Sequence, residues 1–561
     1  MAGRFCLVLH GHLPWVLHHG RWPHGEHWLY EAADETYLPL LGVIERLVRD
    51  GVRPAFSVGM TPVLCEQLAH PTFRRGFPAF LTERRDRAKR DASEFERKGE
   101  AYLAKLALRA AAACDGTLAQ WAALDGNIVG ALAEAQSDGH IAILGSNATH
   151  TYQPLVVQDA TARASIRVGL ATSTRHFGRR PRAVWLPECA YRPPGPFVPL
   201  AGQSLNPRWR EGVGRLWVNE GVEGFVIDGP TLAGARSEFL WEGARPIPVP
   251  WEQTTWDHQR GWRDPLTVHR VSERGEPLPL TVFARSAATS EPVWSGRVGY
   301  PGDPAYLEFH ARHEVDGLRY WRVTASGSDL SAKAPYEPGV ATLRAAEHAR
   351  HFAGVVRSEL WAYRERTGRD GVVTAPFDAE LFGHWWSEGP TFLECLSREL
   401  AQVDDVCAST LEDVLDSGPA APVVELPEGS WGAGGDHRVW ARDDTRFYWD
   451  LLGRAEDRFQ HLWHAMPWRS DGAVASALRA AGRELLLLSA SDWPFVISTG
   501  GAVDYGIRRI SDHAARFDEL ANRVADRAAG RPVDPIQERS ASLASDRDDV
   551  FPDLDLSAWG A

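Results

Sequence analysis

Lysine is nearly missing from this 561-residue chain: it occurs only at Lys89, Lys98, Lys105 and Lys333, so arginine carries almost all the positive charge. That imbalance points to codon usage, not to mechanism. Positive charge as a whole is outweighed, leaving a net charge of −13, and no basic face is concentrated enough to hold a phosphate backbone. A nucleic-acid partner is therefore not expected, whereas an uncharged polysaccharide is compatible. Cysteine is sparse and scattered, at Cys6, Cys65, Cys114, Cys189, Cys395 and Cys407, with no CxxC and no zinc spacing. This reads as the reduced thiols of a cytoplasmic protein. No run of 18 apolar residues occurs, which excludes a membrane-spanning helix. The opening MAGRFCLVLHGHLPW is broken by histidines too early to be the core of a secretion signal and reads as a first core strand. A GxSxG elbow, a Walker loop and a dinucleotide glycine fingerprint are all absent, so serine-hydrolase and nucleotide chemistry lack their usual supports and no cofactor is expected.

What is present alternates. Apolar runs at residues 4–10, 54–59, 141–144, 183–186, 224–227 and 371–375 have the length and flanks of buried strands. Amphipathic stretches separate several of them, notably 31–50, closed by Gly51, and 160–178. Strand–helix–strand order predicts parallel pairing and a barrel-like α/β fold. A charged, alanine-rich pattern within about 72–135 reads as a helical insertion, a solvated hairpin standing off the barrel. The Pro/Gly/Trp-rich section at about 230–300 has little periodicity and reads as a lid or loop region. These lie in a catalytic unit spanning 1–400. Residues 401–530 read as a helical C-terminal domain, with helices at 442–465, 472–490 and 502–529, and 531–561 as a surface tail.

Two segments carry the chemistry. WLPECAYRP (185–193) delivers Glu188 at the end of the run Ala183–Leu186, and APFDAELFGHWW (375–386) delivers Asp378 after Val372 and Val373, among aromatics. Each acid alone is equally well a helix cap or a paired structural group. A pair of strand-end carboxylates among aromatics is what glycosidic cleavage requires, one as nucleophile and one as general acid/base. His10 and His12 close the first strand on the same side of it. An HxH pair there also opens metal-dependent amidohydrolases, with His150 and Asp378 on offer as further ligands, but no other close His/Asp set of ligand spacing accompanies it. Substrate-binding histidines are the favoured reading and structural hydrogen-bonders a third. ILGSNATHTYQPL contributes His150; EGSWGAGGDHRVW presents Trp431 and Trp440 on a glycine-rich backbone; SASDWPF offers Asp492, whose bland reading is a helix cap.

Taken together, HGHLPW, GSNATHTYQP, WLPECAYRP, PFDAELFGHWW and GSWGAGGDHRVW resemble, in this order, the five signature regions of glycoside hydrolase family 57, most closely its 1,4-α-glucan branching enzymes. The likeness runs from residue 4 to about 530. It implies a distorted, TIM-like (β/α)7 barrel, a retaining mechanism on α-glucans such as amylose or glycogen-like polysaccharide, and no metal or nucleotide. Glu188 would be the nucleophile and Asp378 the acid/base, with His10, Trp28, His150, Trp294, Trp431, Trp440 and Asp492 at glucan-binding positions. The family's branching members hold a loop tyrosine over the site. Here no tyrosine occurs between Tyr191 and Tyr300, and Trp241, Trp251, Trp256 and Trp262 occupy the stretch. Hydrolysis or α-1,4 transfer at the same site is the near alternative; a metal-dependent hydrolase and a non-catalytic glucan-binding protein are the distant ones. A monomer or small homo-oligomer is expected.

Overall fold

The computed structural model describes residues 2–200, 207–234, 263–295, 298–325, 327–419, 421–531 and 547–561, with the backbone of 239–242 and 245–248. Its strands, in chain order, are β1 (Gly3–Gly11), β2 (Ser57–Met60), β3 (Ala142–Leu144), β4 (Ala183–Trp185), β5 (Gly195–Phe197), β6 (Arg208–Arg210), β7 (Gly224–Ile227), β8 (Phe239–Glu242), β9 (Arg245–Pro248), β10 (His269–Glu273), β11 (Glu276–Ala284), β12 (Gly371–Asp378), β13 (Val406–Ala408) and β14 (Val423–Val424). One sheet runs β12-β1-β2-β3 with β13 also on β1; a second runs β14-β10-β11-β7-β4; β5–β6 and β8–β9 are separate hairpins. Except for β10–β11, all pairs within the two larger sheets are parallel. Isolated parallel bridges Gly145–Val184 and Arg285–Thr374 lie between the two sheets. Among the described residues no continuous ladder closes them into a barrel.

Each of the six expected strands is present. Their residues are buried almost throughout, as parallel strands covered on both faces must be, and that is why continuous apolar runs revealed them. β11 lies inside the stretch read as lid or loop. Its first half carries Pro277 and Pro279 and pairs only with the antiparallel β10; its second half, Thr281–Ala284, pairs in parallel with β7. The prolines, which cannot donate to a ladder, hid a core strand behind a hairpin. The residues that carry Trp251, Trp256 and Trp262 lie outside the described residues, as does the side chain of Trp241.

The insertion is a helical hairpin, Pro71–Arg97 and Ala101–Ala123, but it does not stand clear of the protein. Ala88, Ala92, Phe95, Ala104 and Ala107 form a satellite core with Leu318 and Tyr320, and the Tyr320 hydroxyl donates to Asp91 at 2.8 Å. Beyond residue 440 the helices Arg446–Ala465, Gly472–Leu488, Asp492–Ser498 and Val503–Ala528 follow. Asp471 starts the second by accepting from the Ala473 and Val474 amides, an ordinary N-cap.

The expected surface tail is corrected for its last fifteen residues, 547–561. Val550, Phe551, Leu554, Leu556 and Trp559 are buried. Trp559 packs on Phe459 with ring centroids 4.6 Å apart, and Gly482 admits it, because a Cβ there would stand 3.0 Å from the indole. The Asp/Ser/Pro-rich composition of the segment masked these spaced apolar residues. Trp559→Ala is expected to cost about 3–5 kcal/mol of stability, the usual range for emptying a buried aromatic site. Denaturant unfolding followed by circular dichroism would measure it.

Candidate active site

Parallel pairing places the two segments that matter side by side. In the β1–β12 register His10 stands opposite Asp378, so both reach the carboxyl-terminal rim together, where α/β folds build their sites. Glu188 arrives from β4 through a 3-10 turn in which Glu188 (φ 61°) and Cys189 (φ 50°) are both left-handed; His150 (φ 61°) is too. Such backbone costs on the order of 1–3 kcal/mol per residue and persists only where surroundings enforce it. Here they do. The Trp431 amide donates to the Glu188 carbonyl at 2.9 Å and its indole Nε1–H to Glu188 Oε2 at 2.6 Å. Ser491 Oγ donates to Glu188 Oε1 at 3.2 Å, and His150 Nδ1 lies 2.8 Å from Ser491 Oγ.

The three histidines form a stack. His12 and His150 rings lie 4.0 Å apart, His10 and His150 5.0 Å, with His10 backed by Trp185 at 4.7 Å. His10 Nε2 and His150 Nε2 are 3.0 Å apart, so one donates to the other. Burial and the neighbouring His12 charge hold both His10 and His150 well below the usual imidazole range. Burial also works against charging His12, but Asp492, 2.9 Å from its Nε2, outweighs it and raises His12. His12, His150 and Asp492 have ligand atoms within 4.8 Å of one another. Because the two rings stack with 17° between their planes, their in-plane lone pairs run side by side and do not converge on one point, which disfavours a shared metal.

Burial pushes Glu188 up to about 7, with Asp492 adding to the push; the Trp431 hydrogen bond, the His12 charge and Ser491 pull the other way. Asp378 is raised well above the usual carboxylate range by burial, then by the charges of Glu380 and Glu188, against Arg285. Both carboxyls are thus shifted toward the protonated form, Asp378 in part by the charge of Glu188.

Both line a cavity of about 460 Å³. His10, His12, Trp28, His150, Trp431 and Asp492 line it with them. Asp492 is the first residue of its helix and bonds His12, not the helix amides. Trp294 and Trp440 are not brought to this cavity: Trp294 is partly exposed against Phe377 and Trp431, and Trp440 is 1% exposed, stacked on Tyr152. Glu380, His384 and Trp385 also line the cavity; they stood unassigned inside APFDAELFGHWW and were within reach of sequence reasoning. Glu380 accepts the His12 amide at 3.0 Å and the Tyr37 hydroxyl. Trp22, Phe309 and Tyr505 reach the cavity from distant segments with no local signal.

An anchored carboxylate, a second carboxyl shifted toward its protonated form and an aromatic-lined cavity are the elements that glycosidic cleavage requires. The pattern of glycosyl hydrolase family 57 matches residues 6–427, and that of the 1,4-alpha-glucan branching enzyme C-terminal region matches 451–559. The chain belongs to glycosyl hydrolase family 57. It is 36% identical over 528 residues to the 1,4-alpha-glucan branching enzyme of Thermococcus kodakarensis, covering 93% of this chain and 74% of that one. It is 33% identical over 557 residues to a probable 1,4-alpha-glucan branching enzyme of Mycobacterium tuberculosis, covering 95% and 93%. Among solved structures, the family 57 branching enzyme of Pyrococcus horikoshii superposes with a TM-score of 0.88 at 35% identity over 100% of this chain and 97% of that one. The alpha-amylase AmyC of Thermotoga maritima does so with 0.78 at 26% identity, covering 100% and 99%.

An attacking Glu188 must be ionised, so activity should fall as pH drops through about 7. The Trp431 indole favours the charged form. Trp431→Phe should therefore move the acidic limb of kcat/KM upward by roughly one pH unit, read from a pH–rate profile.

Proposed function

We propose that the chain is a retaining 1,4-α-glucan branching enzyme. Glu188 attacks C1 of a glucosyl unit and the bond to the leaving glycosidic oxygen breaks, that oxygen taking the proton of Asp378. The 6-hydroxyl of an acceptor chain then attacks C1, its proton passes to Asp378, and Glu188 leaves. An α-1,4 bond is exchanged for an α-1,6 branch with stereochemistry retained. The observation that carries this reading is the pair itself: two carboxyls on one cavity, one anchored by two donors, the other shifted toward its protonated form by burial and by its neighbours' charge. The branching enzymes among its relatives support the branching step.

The two sheets are read as halves of a distorted (β/α)7 barrel. The parallel strands β1, β2, β3, β4, β7, β11 and β12 supply the seven staves, and the bridges Gly145–Val184 and Arg285–Thr374 mark the two seams. A role in glycogen formation in the cytoplasm fits six free thiols; none of the helices among the described residues is long and apolar enough to cross a membrane. Amylase-like hydrolysis is the second reading, favoured by the likeness to the Thermotoga maritima enzyme.

Incubation with amylose separates the two. New α-1,6 linkages, released by isoamylase, should far outnumber new reducing ends; the reverse would mean a hydrolase. Glu188→Gln should lower kcat at least ~1,000-fold, about 4 kcal/mol in barrier. Asp378→Asn should fall comparably on amylose yet keep most of its glycosyl-enzyme formation with an α-glucosyl fluoride donor, whose leaving group needs no proton. Equal losses on both donors would remove Asp378 from the acid/base role.

A further inference from the structure

The C-terminal segment makes contacts that catalysis as described does not use. Three consecutive residues hold the loop that follows β1 and His70, at the junction of the helices Pro62–Ala69 and Pro71–Arg97. The Arg547 carbonyl accepts from the Trp15 indole at 3.3 Å, Asp548 Oδ1 lies 2.6 Å from His19 Nε2, and both Asp549 oxygens lie 3.1 Å from His70 Nε2. Asp548 is fully buried, and its other oxygen is paired with Arg516 on the helix Val503–Ala528. Burial opposes its charge, but the His19 hydrogen bond and the charges of His513, His19 and Arg516 hold it as carboxylate. Glu484 and His513 share the cluster, bonded at 2.8 Å; Arg509 reaches His513 at 2.9 Å and the Tyr505 hydroxyl at 2.7 Å. Guanidinium groups already fill the place a cation would take there.

The cluster therefore joins two parts of the cleft wall. His19 begins the turn that carries Trp22, Pro23 and His24 on the cavity, and the same helix that carries Arg516 carries Tyr505 on it. The His24 and Tyr505 rings stand 5.5 Å apart across the join. Trp22 is 47% exposed, so its position depends on how the base of its loop is held.

We propose that Asp548 is a positioning residue for the glucan cleft: from the far end of the chain it ties the 19–24 loop to the helix Val503–Ala528 and so fixes Trp22 and His24 where the polysaccharide runs. This rests on the α-glucan reading above. The loop is also held by the Gly20 and Arg21 carbonyls, which accept from the Glu26 and His27 amides, by the exposed Arg21–Glu83 pair and by the His24–Tyr505 contact; the His19–Asp548–Arg516 link is its buried tie to the helix Val503–Ala528.

The test compares His19→Ala, which cuts the link while leaving Asp548 paired with Arg516, with His19→Gln, whose amide donates from nearly the same place as Nε2. Asp548→Asn and Trp22→Ala complete the set, each with its melting temperature. His19→Ala and Asp548→Asn should raise KM for amylose at least tenfold, more than they lower kcat, and His19→Gln should stay within about threefold of the unaltered protein. In a Trp22→Ala background, His19→Ala should add little, because both changes act through one loop. A lowered melting temperature with KM within threefold would overturn the proposal, as would full additivity with Trp22→Ala. If the unaltered protein does not turn amylose over, the branching and hydrolytic readings fail. Maltoheptaose dissociation constants for the same variants then decide the positioning role separately.

Discussion

Setting two carboxyls, Glu188 and Asp378, largely buried on one cavity is the constraint on which the rest of this molecule depends. Burial raises both, and the charges of Glu380 and then Glu188 push Asp378 further. The surroundings then differentiate the pair. Glu188 receives an indole and a hydroxyl hydrogen bond, both of which favour its charged form, whereas Asp378 faces the charge of Glu380 and has only Arg285 pulling the other way. Two chemically similar side chains are thus given different surroundings, one hydrogen-bonded by protein donors and the other set beside like charge.

That differentiation has to be built from distant parts of the chain. Trp431 and Ser491 both come from beyond β12, and each reaches back to the turn after β4. The left-handed backbone at Glu188, Cys189 and His150 is held by these contacts, not by residue preference, since none of the three is glycine. The same logic extends outward. The His10–His150–His12 stack ends on Asp492, which opens a helix of the C-terminal region, so that region supplies part of the proton arrangement as well as part of the wall.

The cleft wall shows the same economy on a larger scale. The loop after β1 and the helix junction at His70 are met by residues 547–549, more than 470 positions away, through the buried Asp548 and through contacts of Arg547 and Asp549. Burial opposes the charge of Asp548, and its partners His19 and Arg516 offset that cost.

The sequence by itself determined the six parallel core strands, the helices between and after them, and the two strand-end carboxylates proposed to carry the chemistry. Each is a local signal: a strand buried on both faces must be apolar along its whole length, and a carboxylate at its end stands out against that run. β11 escaped because Pro277 and Pro279 belong to its hairpin half, and the final segment escaped because its buried residues are spaced singly among polar ones. Tertiary structure alone decided which tryptophans meet the cavity. Trp431 and Trp440 share one glycine-rich segment and one residue type, yet one donates to Glu188 and the other is sealed against Tyr152. Facing the cavity is a property of neighbours brought from elsewhere in the chain, and no local pattern encodes it.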